Sequence, residues 1–382
     1  MSYASSGQVL SRSDTSWLTE WRRTVDWGLV VGALVLLAIG MLMSLATGPI
    51  ASDRMGVSPY YLTARHAVFA SMAIVILLGT SMLSPLWARR FAIFVFVASL
   101  ILLVVILVAG HEVKGAQRWL RVAGFSLQPS EMVKPGLIVL AGWLLAQREN
   151  NVPGPWAPIA FVFYVVTLGL LLMQPDVGQS FLLSVAFVAT FFVSGLPLRW
   201  AAVFGGGGAA LAGTLYALFP HVRKRVDMFV TPASVDTYQI DRAAEAIGRG
   251  GLFGVGPGEG LIKTRLPDAN TDFIFSVMAE EFGLVAAIVL FGVFVLMILR
   301  GFRAAARVND SFSRAAAAGL FTLFGLQAAI NLAVNLALIP PKGMTLPFVS
   351  NGGSSMIGTG LTLGLALALV RGQGTRARGR YG

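Results

Sequence analysis

The sequence contains no cysteine, and this absence excludes disulfides, thiolate nucleophiles and Cys-ligated zinc sites. Histidine is scarce, and the three that are present, His66, His111 and His221, lack the spacing of a zinc site. Charged residues make up only 12% of the chain, about half the fraction of a soluble protein. These shortages exclude thiol chemistry and argue against a soluble fold.

Hydrophobic residues, in contrast, make up 56% of the chain, and its mean hydropathy is +0.74. They come in long blocks, and about 18 consecutive apolar residues suffice to cross a bilayer as a helix. We therefore predict an all-α polytopic membrane protein of about ten transmembrane helices with one long periplasmic loop. The predicted spans are 27–47, 65–85, 91–110, 130–146, 158–174, 178–196, 200–219, 273–299, 315–338 and 354–370.

These spans divide the chain into a cytoplasmic tail (1–26), a membrane domain (27–370) that includes the large loop 221–272, and a basic cytoplasmic tail (371–382). The polar stretch up to Asp26 leads into an apolar run without a cleavage site, which indicates a signal anchor. Ten spans put both termini on one side. The 29 Lys and Arg residues divide almost evenly between the two sides, but compact clusters such as Arg89–Arg90 and Arg300–Arg314 favour cytoplasmic termini.

The net charge of +11 fits cytoplasmic loops lying on anionic lipid. Nucleic-acid binding is disfavoured because no basic soluble segment could host it. The cations in the loop 221–272 oppose the charge rule, which hints that they hold an anion there. The same loop contains a predicted interfacial helix, 238–247, with Ile240, Ala243, Ala244 and Ile247 on one face.

Acidic residues at membrane depth are costly and therefore informative. Asp272 opens the eighth span, and Glu280 and Glu281 follow it. On a helical wheel they lie about 80° and about 180° from Asp272, so at most one of them can share a cavity with it. A functional carboxylate, or an interfacial aspartate with two structural glutamates, fits this pattern equally well.

Two further clusters precede the fourth and sixth spans. Ser130 is a predicted N-cap of the fourth span, and Glu131 and Lys134 can pair at i, i+3. This is either a capped, self-paired helix start or part of a site. Arg118, in the stretch GAQRWL, has no local partner. Asp176 lies in a turn, QPDVGQ, that needs no function, although its carboxylate could help a sugar or metal site.

Residues 340–355 form a loop rich in Gly, Pro and hydroxyl groups that resembles a re-entrant segment. Non-helical backbone at this depth survives only when it is buried in protein or lines a wet cavity. Before it, Gln327, Asn331 and Asn335 recur every four residues, and we predict that they serve as hydrogen-bonding glue between helices. The glycine-rich stretch 254–260 is not a dinucleotide loop, because no strand–turn–helix unit surrounds it.

Together these motifs resemble the SEDS family (shape, elongation, division and sporulation), and its FtsW-like branch more than its RodA-like branch. The resemblance runs from about residue 26 to 370. The matching stretches are GAQRWL, LQPSEMVK, QPDVGQ, YQIDRAAEAIGRGGLFGVGPGEGLIK, LPDANTDFIFSVMAEEFG and PPKGMTLPFVSNGGSSMI. The chain departs from the family pattern at Asn351, where Tyr is usual, and at Asp268, where Glu is common.

The resemblance implies a peptidoglycan glycosyltransferase that polymerises lipid II on the periplasmic face of the inner membrane during cell division. The expected partners are a class B penicillin-binding protein and other proteins of the division septum. Asp272 is expected to be the catalytic base. The expected substrate-binding residues are Arg118, Lys134, Lys263, Glu131 and Asp176, to which Ser354 of the hydroxyl-rich loop is added.

Cationic side chains would stabilise the pyrophosphate leaving group. No cofactor is certain, although a divalent cation bridging the pyrophosphate and a carboxylate is an option. Three alternatives stay open at this point: a lipid II flippase, a RodA-type polymerase of cell elongation, and a non-catalytic scaffold. Buried carboxylates disfavour the scaffold.

Overall fold

The fold was obtained as a computed structural model, and the structure describes residues 17–113, 116–122, 125–195, 197, 199–218, 223, 238–339 and 343–371. The tails 1–16 and 372–382 therefore lie outside the described residues, as do most of 219–237 and the start of the 340–355 loop. The helices are α1 (Trp17–Thr24), α2 (Trp27–Arg54), α3 (Tyr61–Ser81), α4 (Pro85–Ala109), α5 (Ser130–Glu149), α6 (Trp156–Met173), α7 (Val177–Val193), α8 (Arg199–Leu218), α9 (Tyr238–Gly250), α10 (Ile274–Ala306), α11 (Ser311–Asn335) and α12 (Gly353–Arg371).

Ten of these helices correspond to the ten predicted spans. Seven of them, α2, α3, α4, α6, α10, α11 and α12, are long and apolar enough to cross a membrane by length and composition. Between these, α5, α7 and α8 provide the other three crossings. The fold class is confirmed, and most helix ends lie within a few residues of the predicted ends.

Long-range contacts show which helix ends share a side of the bundle. One end, which we call the arginine end, joins Arg314 of α11 to Glu149 of α5 at 2.6 Å, and Arg371 of α12 to the Met82 carbonyl at 3.0 Å. The opposite end, the loop end, carries α9 and Asp272. Since the helices alternate in direction, the other candidate site residues also lie at the loop end.

The centre of the bundle is formed by α11 and α12. In each, 78% of the most apolar 18-residue stretch is buried, against 22–44% in the other five apolar spans. Helix α5 is also buried along most of its length, despite the charges in its first turn. Central helices that are shielded from lipid can carry polar side chains, because neighbouring helices supply hydrogen-bond partners.

A small antiparallel sheet covers part of the loop end between α4 and α5. Its strands are His111–Val113, Ala116–Val122 and Phe125–Leu127, in the order β1-β2-β3. The sequence analysis did not predict this sheet. It places Arg118 on the central strand, which pairs with the strand on either side.

Helix α10 is broken near its start at Gly283. The φ of this residue is +81°, a backbone conformation that glycine adopts at little steric cost. The break frees main-chain groups that the segment after α9 satisfies. Val255 donates its N–H to the Glu280 carbonyl at 3.0 Å, and Leu284 donates to the Gly251 carbonyl at 2.9 Å. The segment 250–256 is thus bonded into the kink of α10, as a helix interruption inside a membrane protein requires.

A helix is confirmed at the predicted position as α9, although its buried face differs from the prediction. Ala243, Ala246 and Gly250 are buried against the bundle, whereas Ala244 is exposed. Gly250 approaches the Ala279 carbonyl so closely that a Cβ would lie 1.9 Å from the oxygen. The packing of α9 on α10 therefore sets which face is buried.

Candidate active site

Asp272 precedes the first residue of α10 by two positions and is partly exposed. Its main-chain carbonyl accepts two hydrogen bonds from α11, from Asn331 Nδ2 at 2.9 Å and from Asn335 Nδ2 at 2.8 Å. Two amide donors from a buried helix fix the backbone of this residue from one side. The position of the Asp272 carboxylate is therefore set by the packing of α11 on the start of α10.

Asn335 also caps α10 from outside that helix. Phe273, the N-cap residue, has no side chain that can accept a hydrogen bond, so the first amide groups of the helix need another acceptor. The Asn335 Oδ1 atom supplies it and accepts from Ser276 N at 3.0 Å and from Ser276 Oγ at 2.8 Å. One side chain thus holds Asp272 and closes the helix end beside it.

The described part of the hydroxyl-rich loop, 343–352, forms hydrogen bonds with the two residues before Asp272. Ser350 Oγ donates to the Thr271 carbonyl, and the Asn351 N–H donates to the Asn270 carbonyl at 2.9 Å. The side-chain position of Asn351, where the family usually has Tyr, is not needed for this main-chain bond. The predicted re-entrant character of the loop fits these buried contacts.

Arg118 lies on β2 and reaches the turn between α6 and α7. Its Nε donates to the Gln174 carbonyl at 3.1 Å, a second nitrogen donates to the Pro175 carbonyl, and Nη1 lies 3.7 Å from Asp176 Oδ1. The Arg118 side chain keeps 20% of its exposure, and that of Asp176 keeps 4%. Arg118 is therefore anchored at the edge of a buried acidic turn, with its side chain partly exposed.

Asp176 caps α7 through a 3.4 Å contact from Gln179 N to Oδ1, while its Oδ2 atom is buried without a hydrogen-bond partner. Burial raises the pKa of the Asp176 carboxyl, and the positive charges of Arg118 and Lys134 oppose that shift. Burying a carboxylate oxygen without a hydrogen-bond partner costs free energy. Such unsatisfied atoms occur in functional sites and in strained regions of proteins.

Glu131, Lys134 and Gln179 form a closed triangle of side chains. Lys134 Nζ donates to Glu131 Oε2 at 2.9 Å and to Gln179 Oε1 at 2.5 Å, and Gln179 Nε2 donates to Glu131 Oε1 at 2.7 Å. All three are buried. The predicted Glu131–Lys134 pair is confirmed, and Gln179 is a member that the sequence analysis did not select. Ser130 begins α5, but its hydroxyl makes no capping bond, so the predicted N-cap role is wrong.

Ser354 and Ser355, at the start of α12, connect the two halves of the loop end. Ser354 Oγ accepts from Gln128 N at 2.9 Å and donates to the Ser126 carbonyl at 3.1 Å, which ties α12 to β3. Ser355 Oγ accepts from Gln327 and from Thr345. The start of α12 therefore links the segment leading into α5 to the loop that holds Asp272.

Lys263 lies in a separate cluster. Its Nζ donates to Glu281 Oε1, to the Gly258 carbonyl at 3.0 Å and to the Ala46 carbonyl at 3.2 Å. Three acceptors match the three donors of an ammonium group. This geometry supports a structural role for Lys263, and its predicted contact with substrate stays a prediction.

Glu280 completes this cluster, which we call the carboxylate clamp (Lys263, Glu280, Glu281). Glu280 is fully buried and accepts main-chain hydrogen bonds from Leu261 at 2.8 Å and Ile262 at 2.9 Å. The interpretation of the two glutamates as structural is therefore the one that the geometry supports. Both carboxylates are thus occupied by hydrogen bonds within the clamp.

The sequence profile of the FtsW/RodA/SpoVE family of cell cycle proteins matches residues 27–373. This chain belongs to that family. The resemblance to SEDS proteins that the motifs indicate is thereby confirmed, and the FtsW/RodA/SpoVE match extends over all ten crossings.

Two members of the family illustrate how similar the sequences are. The chain is 48% identical over 377 residues to the probable peptidoglycan glycosyltransferase FtsW of Caulobacter vibrioides, covering 98% of this chain and 95% of that protein. It is 34% identical to the protein of the same name from Trichlorobacter lovleyi, covering 91% and 93%.

Solved structures agree with the family assignment. A chain in “Structural coordination of polymerization and crosslinking by a peptidoglycan synthase complex” is 30% identical, with a TM-score of 0.74 and coverage of 91% of this chain and 98% of that one. The rod shape determining protein RodA of Thermus thermophilus is 29% identical, with a TM-score of 0.67 and coverage of 91% and 97%.

Within this family fold, the structure sorts the predicted site residues into three groups at the loop end. Arg118, Asp176, Lys134 and Glu131 lie together around the start of α5 and α7. Asp272 is held by α11 and the loop before α12, and Lys263 belongs to the carboxylate clamp. The predicted role of Asn331 and Asn335 as hydrogen-bonding glue is confirmed by their bonds from α11 to the start of α10, but the sequence analysis did not connect them with Asp272.

No group of three or more His, Asp or Glu side chains that could hold a metal ion occurs among the described residues. Four of the buried acidic residues at the loop end, Glu131, Asp176, Glu280 and Glu281, are instead bonded to amides, to lysine or to arginine.

Proposed function

We infer that this chain is a peptidoglycan glycosyltransferase that polymerises lipid II into glycan strands during cell division. Family membership and the 48% identity to a probable peptidoglycan glycosyltransferase FtsW carry this inference. The relatives cover nearly the whole chain, so the inference does not depend on a fragment of the fold.

We propose Asp272 as the general base. The 4-hydroxyl of the acceptor sugar would give its proton to the Asp272 carboxylate while its oxygen forms a bond to C1 of the growing chain. The bond from C1 to the pyrophosphate oxygen breaks, and undecaprenyl pyrophosphate leaves with the electron pair. A carboxylate on a fixed backbone at the loop end suits this role, because general base catalysis requires a positioned acceptor.

Arg118 is the proposed contact for the pyrophosphate. It keeps part of its surface accessible and is oriented by two carbonyl oxygens, which leaves a preorganised cation. Lys134, Glu131, Asp176 and Ser354 are buried and act through neighbours, so we assign them to positioning. We also propose that a divalent cation, held by a carboxylate of the site, would help to neutralise the charge of the pyrophosphate.

The proposed setting is the inner membrane at the division septum, with both termini in the cytoplasm and the loop end in the periplasm. A class B penicillin-binding protein is the proposed partner, because a chain that only polymerises glycan needs a transpeptidase for cross-linking. The lipid-facing side chains Leu284, Ile288 and Val289 of α10 are exposed and apolar, and offer a surface for its membrane span.

The test is polymerisation of labelled lipid II by the purified chain with its partner in detergent. Wild-type protein is expected to make glycan, and Asp272→Asn to lose about 10²–10⁴-fold in rate while remaining folded and bound to the partner. Asp268→Asn is the matched control. Asp268 has a φ of +54°, a conformation that Asn adopts readily, so this variant should stay near wild type.

Each outcome bears on a different part of the proposal. Lipid II transport across vesicles without any glycan would favour a flippase over a polymerase. Near wild-type synthesis by Asp272→Asn would place the base elsewhere. Rounded cells on depletion, in place of long filaments, would assign the chain to elongation and not to division.

A further inference from the structure

A groove at the arginine end lies far from Asp272 and is not used by the proposed reaction. It has a volume of about 620 Å³ and is formed between α2 and α10. This size is within the roughly 300–1,000 Å³ of common small-ligand sites. Its lining changes from charged at the helix ends to apolar toward the middle of the bundle, which is the polarity profile of a phospholipid.

The charged part of the groove is formed by Asp26, Arg300, Arg303 and Arg307. Arg300 Nε donates to Asp26 Oδ1 at 2.6 Å, so one arginine is neutralised. Arg303 and Arg307 are exposed and lie on the same face of α10 as Arg300, at spacings of three and seven residues. Two positive charges therefore remain at the mouth of the groove.

The apolar part continues directly into the lipid-facing surface. Val31 and Val35 of α2 are 52% and 40% exposed, and Leu296 of α10 is 68% exposed. Trp27, the first residue of α2, is also exposed, and tryptophan is typical of the headgroup level of a membrane. The arginines thus lie at headgroup depth and the valines at acyl-chain depth.

Gly28 allows this arrangement. A Cβ at Gly28 would lie 2.5 Å from the central carbon of the Arg300 guanidinium, so a side chain there would displace Arg300 from α2. Arg300 therefore lies across the backbone of α2 and forms one end of the groove. Basic residues at span ends are common, but here they border a groove with an apolar wall.

We propose that this groove binds an anionic phospholipid, with its phosphate between Arg303 and Arg307 and an acyl chain against Val31, Val35 and Leu296. Charge complementarity favours an anionic headgroup over a zwitterionic one. The apolar wall favours a lipid over a soluble anion, because a free phosphate would not use it. The site would couple the α2–α10 contact to the lipid composition of the membrane.

The experiment is native mass spectrometry of the full chain, extracted from nanodiscs that contain equal amounts of phosphatidylglycerol and phosphatidylcholine. Wild-type protein is expected to retain phosphatidylglycerol preferentially. The double variant Arg303→Gln/Arg307→Gln is expected to lose about 30-fold in this preference, as follows from about 1 kcal/mol for each arginine near an anionic lipid. The double variant Arg90→Gln/Arg148→Gln removes two exposed arginines of the same end and should keep it.

Two further arms separate a bound lipid from other occupants. Val35→Trp fills the acyl part and leaves the arginines in place, so retention should fall if a lipid is bound. Unchanged retention in Val35→Trp, or equal loss in both arginine double variants, would overturn the proposal. A photoreactive residue at position 296 should form adducts with phospholipid in membranes. Adducts with a protein span would instead assign the groove to a partner and also overturn it.

Discussion

The contact between Asn335 and Asp272 gives the most specific test of how the site is held. Asn335 is fully buried, donates to the Asp272 carbonyl at 2.8 Å, and accepts from Ser276 N at 3.0 Å. Asn335→Ala leaves the Ser276 amide buried without an acceptor, which costs about 1–3 kcal/mol, and loses a hydrogen bond worth about 0.5–1.5 kcal/mol. We expect a stability loss of about 2–4 kcal/mol.

The effect on rate should be larger than this stability loss explains. In Asn335→Ala the Asp272 carbonyl loses the bond from Asn335 and keeps the bond from Asn331, and the first turn of α10 loses its cap. A misplacement of about 1 Å at a reacting group can cost about 100-fold. We therefore expect glycan synthesis by the folded fraction to fall about 10- to 100-fold.

Gln327→Ala is the matched control on the same face of α11. Gln327 donates to the Thr345 carbonyl at 3.2 Å and to Ser355 Oγ at 3.1 Å, and no bond from it to Asp272 is among the hydrogen bonds of the described residues. It should destabilise the fold and lower the rate less than Asn335→Ala does, because its bonds reach the loop beside Asp272 and not Asp272 itself. Thermal midpoints in detergent and initial rates of lipid II polymerisation measure the two effects. Equal rate losses in both variants would refute the positioning role.

Three other predictions follow from the contacts at the loop end and from the orientation of the bundle. Lys263→Met leaves Glu281 buried without its cation and should cost about 3–5 kcal/mol in stability, seen as a lower thermal midpoint that Glu281→Gln in the same chain partly restores. Asp176→Asn should raise the thermal midpoint at pH 7, because burial disfavours the charged carboxylate and raises the pKa of Asp176. The folded wild type therefore takes up a proton at a higher pH than the unfolded chain. The stability advantage of the variant should shrink as the pH falls toward the ordinary carboxyl pKa. An advantage that does not change with pH would contradict it. A cysteine at Glu259, in a chain that has none, should react with an impermeant thiol reagent applied from the periplasm, and a cysteine at Asn309 should not; the reverse pattern would invert the proposed topology.

The membrane bundle could be predicted from the sequence because crossing a bilayer needs a long apolar run, and run length is a local property. The segment 111–127 could not be predicted in the same way. Its strands are short, contain charged residues, and are stabilised by pairing at the loop end. The prediction of Ser130 as an N-cap is wrong because α5 begins one residue earlier than that role requires, with Pro129 at the cap position.

The site was only partly predictable because its contacts span long distances along the chain. The Glu131–Lys134 pair is three residues apart and was visible, whereas Asn335 and Asp272 are 63 residues apart. The spacing of the Asn stripe indicated that one face of α11 is polar. It could not indicate which carbonyl that face would meet, since this depends on how α10 and α11 pack.

The carboxylate clamp has a consequence for how the chain enters the membrane. A charged side chain such as Asp costs about 2.5–3.5 kcal/mol at the centre of an inserting helix. Two unpaired glutamates near the start of α10 would also be unfavourable, although less so than at the centre. Their partners, the 258–263 main chain and Lys263, come before α10 in the sequence and are therefore synthesised first. Translation therefore produces the neutralising groups before the two glutamates. The pairing of Glu280 and Glu281 during membrane insertion thus does not depend on a later segment of the chain.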